Sequence, residues 1–243
     1  MRNAGERARL CAGNNADLCQ AIFKAHGLVD RRSGSIWSSH EQAPPYYPNA
    51  TTLDADAVAA QLAEIARLTS VLATDFSVKD GFCRLDLQPL EFRQLFEASW
   101  IWMDLTHPMT TPCGWERVED ATRLELWEFA WAGSAGFSNG RVFPAAILAD
   151  PAIAILGRRT LYGFAAGCIA NRSGLLIGLS NVFAADGGPA YRDAARAAAN
   201  AFSGGRALVG YDRDGGLDDA LACGFQATGA LRVWIRDRQD AGE

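Results

Sequence analysis

The residues whose types and spacing could do chemistry are few. Glu125 and Glu128 lie three apart, which on a helix makes them surface neighbours. Two such carboxylates can share acid–base work, and the plainer alternative is a solvated helix face. Asn181, with Ser180 beside it, interrupts the otherwise apolar run LLIGLSNVF, and an amide buried in a strand has to find partners. Two segments are rich in glycine. SAGFSNGR (134–141) is followed by no phosphate-motif residues and reads as a connection, whereas AADGG (184–188) leads through Pro189 into an alanine-rich helix. The six cysteines form no C-x-x-C pair and only three histidines accompany them, so the sequence offers no metal site. Cys83, Cys168 and Cys223 have apolar neighbours and read as small packing residues. No G-x-S-x-G elbow supports a hydrolase.

The elements that must position these residues follow from periodicity. A helix over 14–26 is expected, capped by Asn15, with Leu18, Ile22 and Phe23 on one face and Gly27 as its stop. The proline-bearing stretch 33–53 gives a β-like piece at Ile36-Trp37 and a rigid loop in which Tyr46 and Tyr47 line a pocket or cover the core. Val58, Leu62, Ile65 and Leu68 mark a helix over 54–70, a strand-like region spans 71–87, and Phe92, Leu95, Phe96 and Ser99 suggest a second helix over 90–105. His107-Pro108 and Thr111-Pro112 then break the pattern. They divide the chain into an N-terminal α/β extension, 1–108, and a domain 109–243, with Trp37, Phe96, Trp100 and Trp102 arguing that the extension is integral.

In the second part a helix over 120–132 carries Leu124, Trp127 and Trp131. Three apolar runs, AIAIL, YGFAAGCIA and LLIGLSNVF, are joined by the turn-like GRRT and NRSG, which predicts an antiparallel meander. The helix from Pro189 to Gly204 leads into ALVGY, a strand–helix–strand order that reads as a parallel crossover. A short helix over 217–223 ends at Gly224, and Leu231, Val233 and Ile235 alternate with polar or aromatic residues in a closing strand. The fold class is α/β (α+β), a mixed sheet with an antiparallel meander followed by a parallel β-α-β crossover.

This order resembles the GNAT N-acetyltransferase superfamily over roughly the C-terminal half. The resemblance rests on GLSNVF as the family's fourth strand, YRDAARAAANAF as the helix after its acyl-CoA loop, and LVGYDRDGGLDDALACGFQATG as its fifth strand, following helix and Gly-Phe turn. It implies that the fourth and fifth strands splay apart, that acetyl-CoA or another acyl-CoA enters as co-substrate, and that backbone amides ahead of the helix hold its pyrophosphate. By position the cofactor-binding residues are then Asn181, Val182, Phe183, Gly187, Gly188, Ala190 and Tyr191, with Asn181 marking either a bulge that faces the thioester carbonyl or a satisfied strand end. The acceptor implied is a small-molecule amine or a protein amine, and no metal is called for.

The loop departs from the family's pattern. Where the family has Gln or Arg this chain has Asp186, a negative charge beside a pyrophosphate, and Pro189 and Tyr191 replace a donor and a small residue. The family's tyrosine acid is matched by Ala220, so Tyr211 is the candidate acid, and Glu128 and Asp212 are the candidate bases. An inactive GNAT-like protein that binds a small ligand or protein partner is the alternative. A net charge of −5 with scattered basic residues disfavours nucleic acid, and the absence of a long uncharged apolar run disfavours a membrane span, so a cytoplasmic protein is expected. The first hundred residues fall outside the match, with a decayed second copy as one reading of them.

Overall fold

The computed structural model describes residues 3–72, 75–135, 141–186 and 190–237. The chain divides into two compact units, Met1–Trp100 with Thr228–Glu243, and Ile101–Ala227.

In the first unit, α1 (Ala4–Ala25) begins at Asn3, whose side chain accepts from the Glu6 amide at 2.8 Å, and Gly27 follows its end with φ +74°. The helix is longer than expected because, Gly5 apart, AGERARL consists of good helix formers and Asn3 caps it upstream. Asn15 is therefore no cap. It is buried inside α1 and accepts from the Lys79 ammonium at 2.7 Å, which satisfies a cation that is only 5% exposed.

The strands β1 (Arg31–Arg32), β2 (Ile36–Ser38) and β3 (Ala50–Thr52) pair antiparallel in turn, and α2 (Val58–Thr69) crosses to β4 (Phe76–Asp80), which lies parallel to β3. Ile65 and Leu68 of α2 pack on Phe76, Val78 and Trp234 in the core of this unit. The helix expected over 90–105 is instead β5 (Arg93–Asp104), twelve residues long. Ala98, Trp100 and Trp102 are its buried alternating positions, and Leu95, counted on the apolar helical face, is 47% exposed. Aromatic residues in SWIW fit a pleated surface, and that preference outweighs a helical spacing that rests on four positions.

The second unit opens with the C-terminal end of β5, then β6 (Trp115–Arg117) and α3 (Ala121–Ala135). The meander is β7 (Ile153–Arg159), β8 (Phe164–Ser173) and β9 (Leu176–Ala184), each antiparallel to its neighbour, with β6 on β7. Next, α4 (Tyr191–Ala201) crosses to β10 (Ala207–Asp212), which pairs parallel with β9. This is the mixed sheet that the sequence predicts. Finally α5 (Asp214–Ala222) begins three residues earlier than the apolar pattern indicates, and β11 (Gln226–Arg236) closes the chain, lying in the first unit from Thr228 onward and pairing with β4. Alanines 194, 195, 197 and 198 of α4 let the helix lie close over Ala166, Cys168, Leu179 and Leu208.

Two stretches of the chain repeat one order: strand, helix, parallel strand and, after a short helical segment, a long strand. Val58 to Arg93 and Tyr191 to Gln226, from helix start to long-strand start, both span 35 positions. Ahead of each helix stands an aspartate paired to an arginine, Asp54 to Arg9 and Asp186 to Arg158, both at 2.5 Å. Each crossover strand also ends in a largely buried aspartate, Asp80 or Asp212, whose carboxyl burial pushes above the usual range. No helix among the described residues is long and apolar enough to cross a membrane.

Candidate functional site

The site is built where β9 and β10 part. They pair from Leu176 opposite Ala207 to Gly178 opposite Val209, after which β9 runs on to Ala184 and β10 to Asp212. Gly210 stands at the parting point. A Cβ there would come within 2.5 Å of the Leu179 carbonyl oxygen, so only glycine permits this approach.

Beyond that point β9 bulges. Gly167 faces Phe183 and Ile169 faces Ser180, so Asn181 and Val182 together oppose the single residue Cys168. Asn181 has φ +52°, the left-handed conformation that asparagine tolerates better than most side chains, and its amide donates to Ser180 Oγ at 3.1 Å. An extra residue in a strand leaves backbone groups out of the ladder. The polar interruption of an apolar run therefore does mark a bulge. Val182 packs at the edge of the core, and the Phe183 ring meets Trp127 edge-on, with centroids 5.2 Å apart.

At the mouth of the gap lies the N-terminus of α4. Ala190 occupies the N-cap position and provides no side-chain acceptor for the first-turn amides. Gly187 and Gly188 lie outside the described residues. Tyr191 is buried, stacks edge-on with Phe225 and donates its phenol to Asp212 Oδ2 at 2.8 Å, linking the first turn of α4 to the end of β10. The other oxygen of Asp212 accepts from the Arg213 amide at 2.9 Å, and Gly216 leaves room for it, since a Cβ there would lie 2.4 Å away. Burial raises the Asp212 pKa, and burial with the neighbouring Asp212 charge drives the Tyr191 phenol far up. Tyr211, the preceding residue on β10, is half-buried and points to the other face of the strand.

The expected electrostatics of the loop need correction. Asp186 is no isolated charge: its carboxylate meets Arg158, reaching it from β7. Arg158 sits in GRRT, which the sequence shows only as a turn, and nothing local reveals that β7 and β8 bring it beside the loop. Together Trp115, Arg158, Ala166, Ala184, Asp186, Ala190 and Asp193 line a pocket of ≈ 270 Å³ next to α4.

Glu125 and Glu128 have different surroundings. Glu125 is exposed and bound to Arg141 at 2.8 Å. Glu128 is buried, and one oxygen accepts from the amides of Val142 and Phe143, the latter at 3.1 Å. Among the described residues no cluster of three His, Cys, Asp or Glu side chains has the geometry to hold a metal.

Neither a family profile nor a curated protein sequence matches the chain. Solved structures do. A GCN5-related N-acetyltransferase from Kribbella flavida superposes with a TM-score of 0.62 at 14% identity, covering 98% of this chain and 97% of that one. A GNAT-family protein from Novosphingobium aromaticivorans gives 0.59 at 15% identity, covering 91% and 97%. N-myristoyltransferase of Saccharomyces cerevisiae, solved with bound myristoyl-CoA, gives 0.51 at 9% identity over 74% of this chain and 55% of its own. The meander, the parallel crossover, the bulge before the gap and these superpositions agree: the chain has the fold of the GNAT N-acetyltransferases.

Proposed function

We propose that the protein is an acyl-CoA-dependent N-acyltransferase, acting in the cytoplasm on a small-molecule or protein amine. The observation that carries this reading is the parting of β9 and β10 just before the bulge at Asn181, with the N-terminus of α4, whose N-cap residue Ala190 has no polar side chain, at the mouth. A pantetheine arm is a strand-like chain with amide groups of its own, and an interrupted ladder offers it partners. The α4 amides suit the diphosphate. The yeast N-myristoyltransferase, with a distant likeness to this fold, was solved holding an acyl-CoA.

In this reaction the amine nitrogen attacks the thioester carbonyl carbon, and the amides of Asn181 and Val182 steady the developing oxyanion. Collapse breaks the C–S bond and expels CoA thiolate. Asp212, a carboxylate whose proton affinity is raised by burial, takes the proton lost by the amine, directly or through water. Tyr211 supplies a proton to the thiolate. Glu128 is the other candidate base, and one of its oxygens already holds two backbone amides.

The alternative is a GNAT-like protein without catalysis that binds a small ligand or partner. The Tyr191–Asp212 hydrogen bond favours it, because it ties α4 to β10 where an acyl-CoA would have to pass. We read the first unit as a decayed second copy, on the strength of the repeated element order and the repeated Arg–Asp pairs.

Titration of acetyl-CoA into wild type and Asp186→Asn separates the two readings. The acyltransferase predicts saturable heat in both, with the variant binding roughly ten- to a hundredfold tighter, because Arg158 is released to the phosphates and a repelling charge is lost. If neither protein binds acetyl-CoA at millimolar concentration, the acyltransferase reading fails and the binding protein stands.

A further inference from the structure

The two aspartates that end the repeated crossover strands are held in different ways. Asp80, at the end of β4, is wrapped by the backbone of the loop that follows it: Oδ1 accepts from the Phe82 amide at 3.3 Å and Oδ2 from the Leu85 amide at 2.8 Å. Asp212, at the end of β10, accepts the Arg213 amide on Oδ1 at 2.9 Å, and its Oδ2 turns to a side chain on another element, the Tyr191 hydroxyl at 2.8 Å. Val58, at the start of α2, stands where Tyr191 stands at the start of α4, and a valine side chain has no proton to donate. The tyrosine contact is therefore no by-product of the repeated order. It occurs in the stretch that carries the gap between strands.

The phenol is itself firmly placed. Tyr191 is buried, shares a core cluster with Leu208 and Ala220, and meets the Phe225 ring edge-on with centroids 6.0 Å apart. Burial and the Asp212 charge drive its own ionisation far up, so it stays a donor, and its single proton goes to Oδ2. A bond donated to a carboxylate favours the charged form, whereas burial opposes it. At Asp212 burial is the larger of the two, while the Arg213 cation works with the phenol and Asp219 of α5 works against it. Cys168 of β8 and Cys223 are the further titratable groups beside the phenol. One hydrogen bond on each oxygen of Asp212 leaves a second lone-pair direction on each for an incoming proton.

We propose that Tyr191 is the positioning residue of Asp212: its hydroxyl fixes the carboxylate at the end of β10 and keeps it ionised, ready to take the proton of the attacking amine. The base role rests on the acyl-transfer reading. Within that reading the bond joins the helix whose first-turn amides suit the diphosphate to the base at the end of β10. The tyrosine that departs from the small residue of the family's loop then has a task of its own.

The Asp212 carboxyl carbon is followed by NMR across a pH titration of the full chain without acyl-CoA, with Asp212→Asn identifying its resonance. The wild-type midpoint should lie above the usual carboxylate range. Tyr191→Phe keeps the ring on Phe225 and removes only the donor, and should carry the midpoint a further ~1–2 pH units alkaline. Phe225→Leu loosens the packing of the same ring, keeps the hydroxyl, and should leave the midpoint close to that of wild type. In acetyl transfer from acetyl-CoA the acid limb of the rate should move alkaline together with the Tyr191→Phe midpoint. The proposal is overturned if Tyr191→Phe leaves the midpoint in place or lowers it, if Phe225→Leu moves it as far, or if the acid limb stays while the midpoint moves. Failure of the acyl-transfer reading shows separately, as wild type that binds no acetyl-CoA; it would end the base role, and the midpoints, which need no ligand, would still measure the bond.

Discussion

Trp127→Ala is expected to lower stability by about 3–5 kcal/mol, the range for deleting a fully buried large aromatic. Trp127 is completely buried, its ring lies edge-on to Phe143 and Phe183, and its indole N–H donates to the Leu156 carbonyl at 2.8 Å. The strands beneath it are cut to receive it. A Cβ at Gly157 would lie 3.0 Å from the Trp127 ring, and one at Gly167 would lie 2.4 Å from its Nε1. Alanine at 127 thus leaves a cavity above two glycines and removes the indole donor to the Leu156 carbonyl. Urea unfolding should show the midpoint falling in proportion, with Trp127→Phe losing clearly less. A loss below about 1 kcal/mol for the alanine variant would show that α3 is not anchored through this side chain.

Glu128→Ala should cost about 3 kcal/mol, because it strips the acceptor from two backbone amides, those of Val142 and Phe143, and leaves them buried. Glu128→Gln keeps a carbonyl oxygen for the amides and should cost clearly less. The pair of variants also separates two roles. A positioning carboxylate predicts that the glutamine variant retains its acyl transfer and its pH profile, whereas a catalytic base predicts a folded protein with activity lost. Denaturation midpoints and initial rates on the same samples decide between them.

What could be read from the chain itself follows the range of the physics involved. At Asn181 the sequence leaves a bulge and a satisfied strand end both open, because a polar, left-handed-tolerant residue in an apolar strand is a local conflict with few resolutions, and the strand register decides for the bulge. The crossover through α4 was plain, since Pro189 and Gly204 punctuate an alanine-rich amphipathic run. β5 was misread because its helical and pleated patterns compete within one stretch, and burial of Ala98, Trp100 and Trp102 by strand packing decided it. Arg158 went unnoticed as a partner of Asp186 because the pair is 28 positions apart and depends on strand register. Tyr191 was recognised as crowding the loop, but its bond to Asp212 required the end of β10 to be in place. The parallel between Asp54 and Asp186 emerged only when both helices and both arginines were located.

In the proposed acyltransferase an acyl-CoA lies between β9 and β10 with its phosphates at α4. Amide-resolved NMR of the full chain titrated with acetyl-CoA tests it most directly. Saturable shifts are expected to concentrate in the amides of Asn181, Val182 and Phe183 on β9 and of Ala190, Tyr191 and Arg192 at the start of α4, with the Tyr211 and Asp212 amides following at the end of β10. A saturable response that leaves these amides unmoved, or no response at all, would contradict it.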